Sequence, residues 1–340
     1  MFRCFFLFYI TVFLISCSGS KDVPVSNDVP TNLVLNAVVT SDSSGNVNFA
    51  SSATNAISFE YDFGNGVFQT VQTGIITYKY PLSGNYTIKV TAKSSSGQTI
   101  SKSIDITVAV KLALIWSDDF DQAGSPDPSK WGYDIGEGGW GNAELQNYTS
   151  RTDNAIVSNG TLKIIAKKEN YGTSAYTSAR LLSKGKFSVQ YGKIEIRAKL
   201  PSKLGTWPAI WMLGNNISTA NWPACGEIDI MEHRAFELNK IFGTVHYQGQ
   251  SNPAMGEGST VVISNAAIDF HRYAIQWSAT SIKFMVDDVV FYTFSNTSNT
   301  PFNQNFFMIL NLAMGGNFGG TVDPAFVADQ MEIDYVHVYQ

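Results

Sequence analysis

Three carboxylic acids fall within six residues in the stretch Glu227-Ile228-Asp229-Ile230-Met231-Glu232. The residue types suit a β-strand, in which successive side chains point to opposite faces. Glu227, Asp229 and Met231 would then share one face, and Ile228 and Ile230 the other. Strict alternation sends Glu232 to the isoleucine face, where an unpaired carboxylate is costly. One extra residue, a β-bulge at or near Met231, returns Glu232 to the side of Glu227 and Asp229. Two carboxyl groups flanking a bond, with a third biasing them, can hydrolyse a glycosidic linkage. The six residues alone describe a solvated acidic strand equally well, so their surroundings must decide.

Those surroundings are distinctive. Gly205-Thr206-Trp207-Pro208-Ala209-Ile210-Trp211-Met212-Leu213 precedes the acids, and Gly243-Thr244-Val245-His246-Tyr247 follows them. Trp140-Gly141-Asn142-Ala143-Glu144-Leu145-Gln146-Asn147-Tyr148-Thr149 lies earlier, Ile309-Leu310-Asn311-Leu312-Ala313-Met314-Gly315-Gly316-Asn317 later, and Ile333-Asp334-Tyr335-Val336-His337-Val338-Tyr339 near the end. In this order and spacing they closely resemble glycoside hydrolase family 16, and within it the laminarinases, which are endo-β-1,3-glucanases. The likeness runs from about Leu114 to Gln340.

The resemblance implies an all-β fold, a jelly-roll sandwich of two curved antiparallel sheets with the substrate cleft on the concave face. It makes Glu227 the nucleophile and Glu232 the general acid/base of a retaining double displacement, with Asp229 between them. Trp207, Trp211, Arg180, Asn142 and Glu144 match cleft positions. His246 follows on the next expected strand and is placed near Glu232. No cofactor is needed for the chemistry. Asp119, Gly160 and Asp334 match positions that bind a structural Ca²⁺ in similar enzymes, with Asp119 standing where relatives often carry Glu.

Periodicity supports the fold independently. Ile194, Ile196, Ala198 and Leu200 alternate with charged residues, as in a half-buried strand. Two apolar arms within 282–294 flank Asp287-Asp288 and read as a hairpin. The nearly unbroken apolar run 306–313 suits a strand covered on both faces. Helical periodicity is lacking.

The first 16 residues read as a signal peptide, because their apolar run is too short to span a bilayer. Leu14-Ile15-Ser16-Cys17 resembles a lipobox, with lipidation expected at Cys17. Residues 17–31 read as a polar tether and 32–110 as a small β-sandwich. The latter resembles a PKD-type immunoglobulin-like domain through Tyr61-Asp62-Phe63-Gly64-Asn65-Gly66, Tyr78-Lys79-Tyr80 and Gly84-Asn85-Tyr86-Thr87-Ile88-Lys89-Val90. Tyr61 and Phe63 are expected in its core, and a spacer role is favoured. Residues 111–340 form the catalytic unit.

Three cysteines allow no disulfide framework in the mature chain. Cys225 reads as a small packed residue. A net charge of −5 without a basic patch argues against nucleic acid. The expected partners are a β-1,3-glucan and, through the lipid, a membrane of the bacterial cell envelope, with the outer membrane favoured and the protein a monomer. Two alternatives remain: a same-fold hydrolase of mixed-linkage glucan or a marine galactan, and a non-catalytic glucan-binding protein. Cys17→Ser should move the protein from the membrane pellet to the soluble fraction, since acyl chains provide the anchor. Continued pelleting would count against lipidation.

Overall fold

The computed structural model describes residues 28–249 and 254–340. Cys17 and the signal segment lie outside the described residues, as does most of the tether. Among the described residues, no helix is long and apolar enough to cross a membrane.

The amino-terminal unit packs two antiparallel sheets. Thr31–Val39, Asn46–Thr54 and Ile75–Lys79 form one, and Phe68–Val71, Ser58–Asp62, Gly84–Lys93 and Thr99–Val108 the other. Tyr61 and Phe63 are fully buried between them with Phe49, Ile88 and Val90, as the alternation requires. The chain then joins the second unit through main-chain bonds on both sides. Lys111 N–H donates to Ser43 O at 2.8 Å, and Ala113 exchanges a pair of bonds with Gln340 at 2.8 and 3.0 Å.

Two large sheets make up the rest. The first runs, in spatial order, Gln146–Tyr148, Ser174–Ser178, Thr161–Tyr171, Ala328–Tyr339, Gly192–Lys199, His271–Trp277, Ser281–Val286 and Val289–Ser295. The second runs Ala254–Val262, Lys240–Gln248, Glu227–His233, Thr206–Gly214, Phe306–Met314, Arg180–Leu182 and Gly132–Asp134. Ile194, Ile196 and Ala198 from the first sheet meet Ile210, Met212, Ile228 and Leu310 from the second in one continuous core. The expected hairpin closes through Asp287 and Asp288 at φ 49° and 66°. This left-handed two-residue turn matches the strand twist, and aspartate tolerates it.

Every residue of Phe306–Met314 is buried. Its core side carries Met308, Leu310 and Leu312. On the opposite face, Phe307 and Ile309 pack with Leu182, Leu213 and Cys225 in a second apolar cluster. Cys225 is therefore a packing residue, and burial pushes its thiol up to about 11.

The bulge occurs at Ile230 and Met231. Trp211 pairs with Asp229 and Ile210 with Met231, leaving Ile230 as the extra residue. On the other side, Asp229 faces Thr244 and Glu232 faces Phe242, so Ile230 and Met231 stand against Gly243 alone. Met231, which strict alternation would leave beside Asp229, turns into the core with Ile228 and Ile230. Met231→Ala should cost about 2–5 kcal/mol of stability in chemical denaturation, because a large side chain leaves a well-packed interior. A loss below about 1 kcal/mol would mean the bulge is not held by core packing.

Candidate active site

The strand register lays the chemistry out in rows. Asp134, Arg180, Asn311, Ala209, Glu232 and Phe242 sit opposite one another across six neighbouring strands. A second row contains Trp211, Asp229 and Thr244, and a third Leu213, Glu227 and His246. The non-core face of the second sheet thus forms a cleft of about 390 Å³. Its lining includes Glu227, Asp229 and Glu232 with the indoles of Trp140, Trp207, Trp211 and Trp222.

All three acids are held above the ordinary carboxylate range. Burial is the main cause for Glu227, followed by the charge of Asp229 and opposed by His246. Burial and then the charge of Glu232 act on Asp229. Glu232 is raised by burial, against a hydrogen bond from Trp207 and the positive fields of His246 and Arg234. Such a cluster shares protons and titrates as a group. The next residue, His233, faces the core fully buried, and burial lowers its imidazole to about 4. It stays neutral and adds no charge beside Glu232.

Trp207 is only 9% exposed. Its Nε1–H donates to Glu232 Oε1 at 2.9 Å, and its ring lies 5.3 Å from that of Phe318. It orients a carboxyl group more than it offers an open stacking surface. Trp211 donates to Asn311 Oδ1 at 2.7 Å. Asn311 in turn donates to the Tyr148 hydroxyl at 3.0 Å, and that hydroxyl donates to Glu144 at 3.0 Å. Glu144 also accepts from Gln146 at 2.6 Å and from Asn142 at 3.3 Å. Glu144 therefore anchors a buried network under the cleft wall. The Arg180 guanidinium lies between Trp140 and Trp211, 5.0 and 4.7 Å from their ring centres, with Nε 3.0 Å from Asp134.

His246 stands among the acids, as expected, and on the side of Glu227 and Asp229. Its Nε2 is 3.3 Å from Asp229 and 3.9 Å from Glu227, because it faces Glu227 in the strand register. The residues proposed for calcium carry other partners. Asp119 meets His337 at 2.7 Å, and Asp334 pairs with Arg197. Gly160 occupies a left-handed turn at φ 71°. As arranged, Arg197 holds Asp334 Oδ2 and His337 holds Asp119 Oδ1, so a calcium ion would compete with both for these carboxylates.

Sequence reasoning did not single out Trp140, Tyr148, Trp222 and Asn311. The amide of Asn311 inside an otherwise apolar strand was the available signal, since a buried polar side chain needs a partner. Trp140 takes φ 50°, unusual for a bulky residue, and this turn presents its indole to Arg180.

Carboxyl groups and indoles in an open cleft on a β-sandwich define a glycoside hydrolase. The pattern of glycosyl hydrolases family 16 matches residues 142–337, and that of the PKD domain residues 26–108. The chain belongs to glycosyl hydrolases family 16, with a PKD domain before the catalytic one. It is 48% identical to a beta-glucanase of Rhodothermus marinus over 243 residues, covering 67% of this chain and 85% of that protein. The structure of the laminarinase from Rhodothermus marinus aligns with a TM-score of 0.63 at 46% identity, covering 68% and 98% of the two chains. That of LamAcat from Zobellia galactanivorans aligns with a TM-score of 0.65 at 45% identity, covering 67% and 98%.

The Trp207 hydrogen bond favours the ionised form of Glu232. Trp207→Phe removes that donor, so the Glu232 pKa should rise. A general acid would then stay protonated to higher pH, and the alkaline limb of kcat/KM should move upward. An unmoved limb with lower activity would leave Trp207 a purely packing role.

Proposed function

We propose that the chain cleaves internal β-1,3 linkages of a neutral glucan by double displacement. Glu227 attacks the anomeric carbon while Glu232 protonates the leaving oxygen. Glu232 then takes a proton from water as that water releases the sugar from Glu227. Asp229 lies between them, biasing both by charge. The observation that carries this reading is the bulged strand, which sets three carboxyl groups along a cleft furnished with four indoles. Indole faces pack against sugar C–H groups, and their N–H groups reach hydroxyls.

The cleft charge favours a neutral polymer. Arg180 is paired with Asp134, and the carboxyl cluster would repel sulfate groups. The relatives named beta-glucanase and laminarinase support a β-glucan. In the same reading, lipidated Cys17 holds the enzyme at the cell envelope and the PKD domain serves as a spacer. A calcium ion would have to displace His337 from Asp119 and Arg197 from Asp334, and no catalytic step depends on it.

Glu227→Gln and Glu232→Gln should each leave the fold intact and lower turnover by orders of magnitude. Proton NMR of early products should show the β-anomer; early α-anomer would overturn the double displacement. Across purified polysaccharides, laminarin should be cleaved fastest and mixed-linkage glucan more slowly, with agarose and κ-carrageenan inert. Faster cleavage of either galactan would overturn the substrate while leaving the chemistry in place.

A further inference from the structure

We propose that Glu227, Asp229 and His246 form a site for a single Zn²⁺ ion, whose binding blocks the cleft. One donor atom from each residue lies within 4.8 Å of the others, and among the described residues no other group of three histidine, cysteine or acidic side chains converges this way. His246 Nε2 is 3.3 Å from Asp229 Oδ2 and 3.9 Å from Glu227 Oε1. A tetrahedral shell with bonds of about 2.0–2.2 Å separates its donor atoms by about 3.3–3.6 Å. The Asp229 contact already has that spacing, and the Glu227 oxygen, 3.9 Å from His246 Nε2, would have to move closer on binding.

A second observation points to a ligand here. Asp229 is 4% exposed, and its buried Oδ2 has no hydrogen-bond partner, with His246 Nε2 3.3 Å away but not aligned to bond it. Buried polar atoms without partners are rare, and a cation would satisfy this one. The donor set selects the ion class. Imidazole with two carboxylates suits Zn²⁺ and its transition-metal neighbours, whereas Ca²⁺ requires six to eight oxygens. Gly256 lets the imidazole lie where it does: a Cβ there would stand 3.1 Å from His246 Nδ1. Binding displaces any protons on the two carboxyl groups into solvent.

The blocking role rests on Glu227 as the nucleophile, because coordination occupies the lone pairs that would attack the sugar. The metal site itself does not depend on that assignment. Calorimetric titration of the full chain with ZnCl₂, after removal of metals, should give one ion per chain. Affinity should fall about tenfold or more in His246→Gln and in Glu227→Gln, given that even supporting residues cost 10–100-fold. It should be unchanged in His271→Gln, whose imidazole pairs with Asp287 away from the cleft. Circular dichroism would establish that the variants are folded. No binding at millimolar ZnCl₂, or binding that neither cleft substitution weakens, would overturn the site. With laminarin as substrate, Zn²⁺ should raise the apparent KM and leave kcat unchanged. Binding at the site with inhibition that excess laminarin does not relieve would overturn the blocking role.

Discussion

An extra residue in one strand sets the geometry on which everything else depends. At Ile230 and Met231 the strand must keep three apolar side chains in the core while turning three acids toward the cleft. An unbroken strand cannot meet both demands, since its side chains alternate strictly. The bulge meets them by spending one residue without a partner and bending the strand locally. Core burial of Ile228, Ile230 and Met231 stabilises the bulged register, because a slip would exchange those residues with the carboxylates. The apolar interior thus holds the charged groups in place.

The same register explains the supporting residues. Glu232 shares a cross-strand row with Arg180 and Asn311, Asp229 shares one with Trp211, and Glu227 shares one with His246. Each acid therefore meets a different set of neighbours. Trp207 donates to Glu232, whereas the unpartnered Asp229 oxygen is left beside His246. Burial raises all three acids, so their separate roles come from these neighbours and from substrate, not from one acid being intrinsically stronger.

Beneath the cleft, polar groups form a connected network. Glu144, Gln146, Tyr148, Asn311 and Trp211 satisfy one another through short hydrogen bonds, and Gln146 Oε1 also accepts from the Met314 N–H at 2.7 Å. A buried network of this kind stiffens the wall when all members are satisfied. It ties the loop carrying Trp140 and Asn142 to the strand carrying Asn311, which lies beside the strand of Trp207 and Trp211.

Sequence alone determined the features that depend on local pattern. Strand alternation placed Ile194 and Ile196 inside, the Asp287-Asp288 pair marked a turn, and the spacing of Glu227, Asp229 and Glu232 required a bulge. These follow from the two-residue period of a strand and the backbone freedom of particular side chains. Features set by cross-strand register required the tertiary structure. His246 falls beside Glu227 and Asp229 because of its pairing partner, and Asn311 and Tyr148 meet although 163 residues separate them. Arg197 reaches Asp334 across a bulge between neighbouring strands. Contacts between distant segments depend on how the strands align, and one-dimensional periodicity carries no information about that alignment.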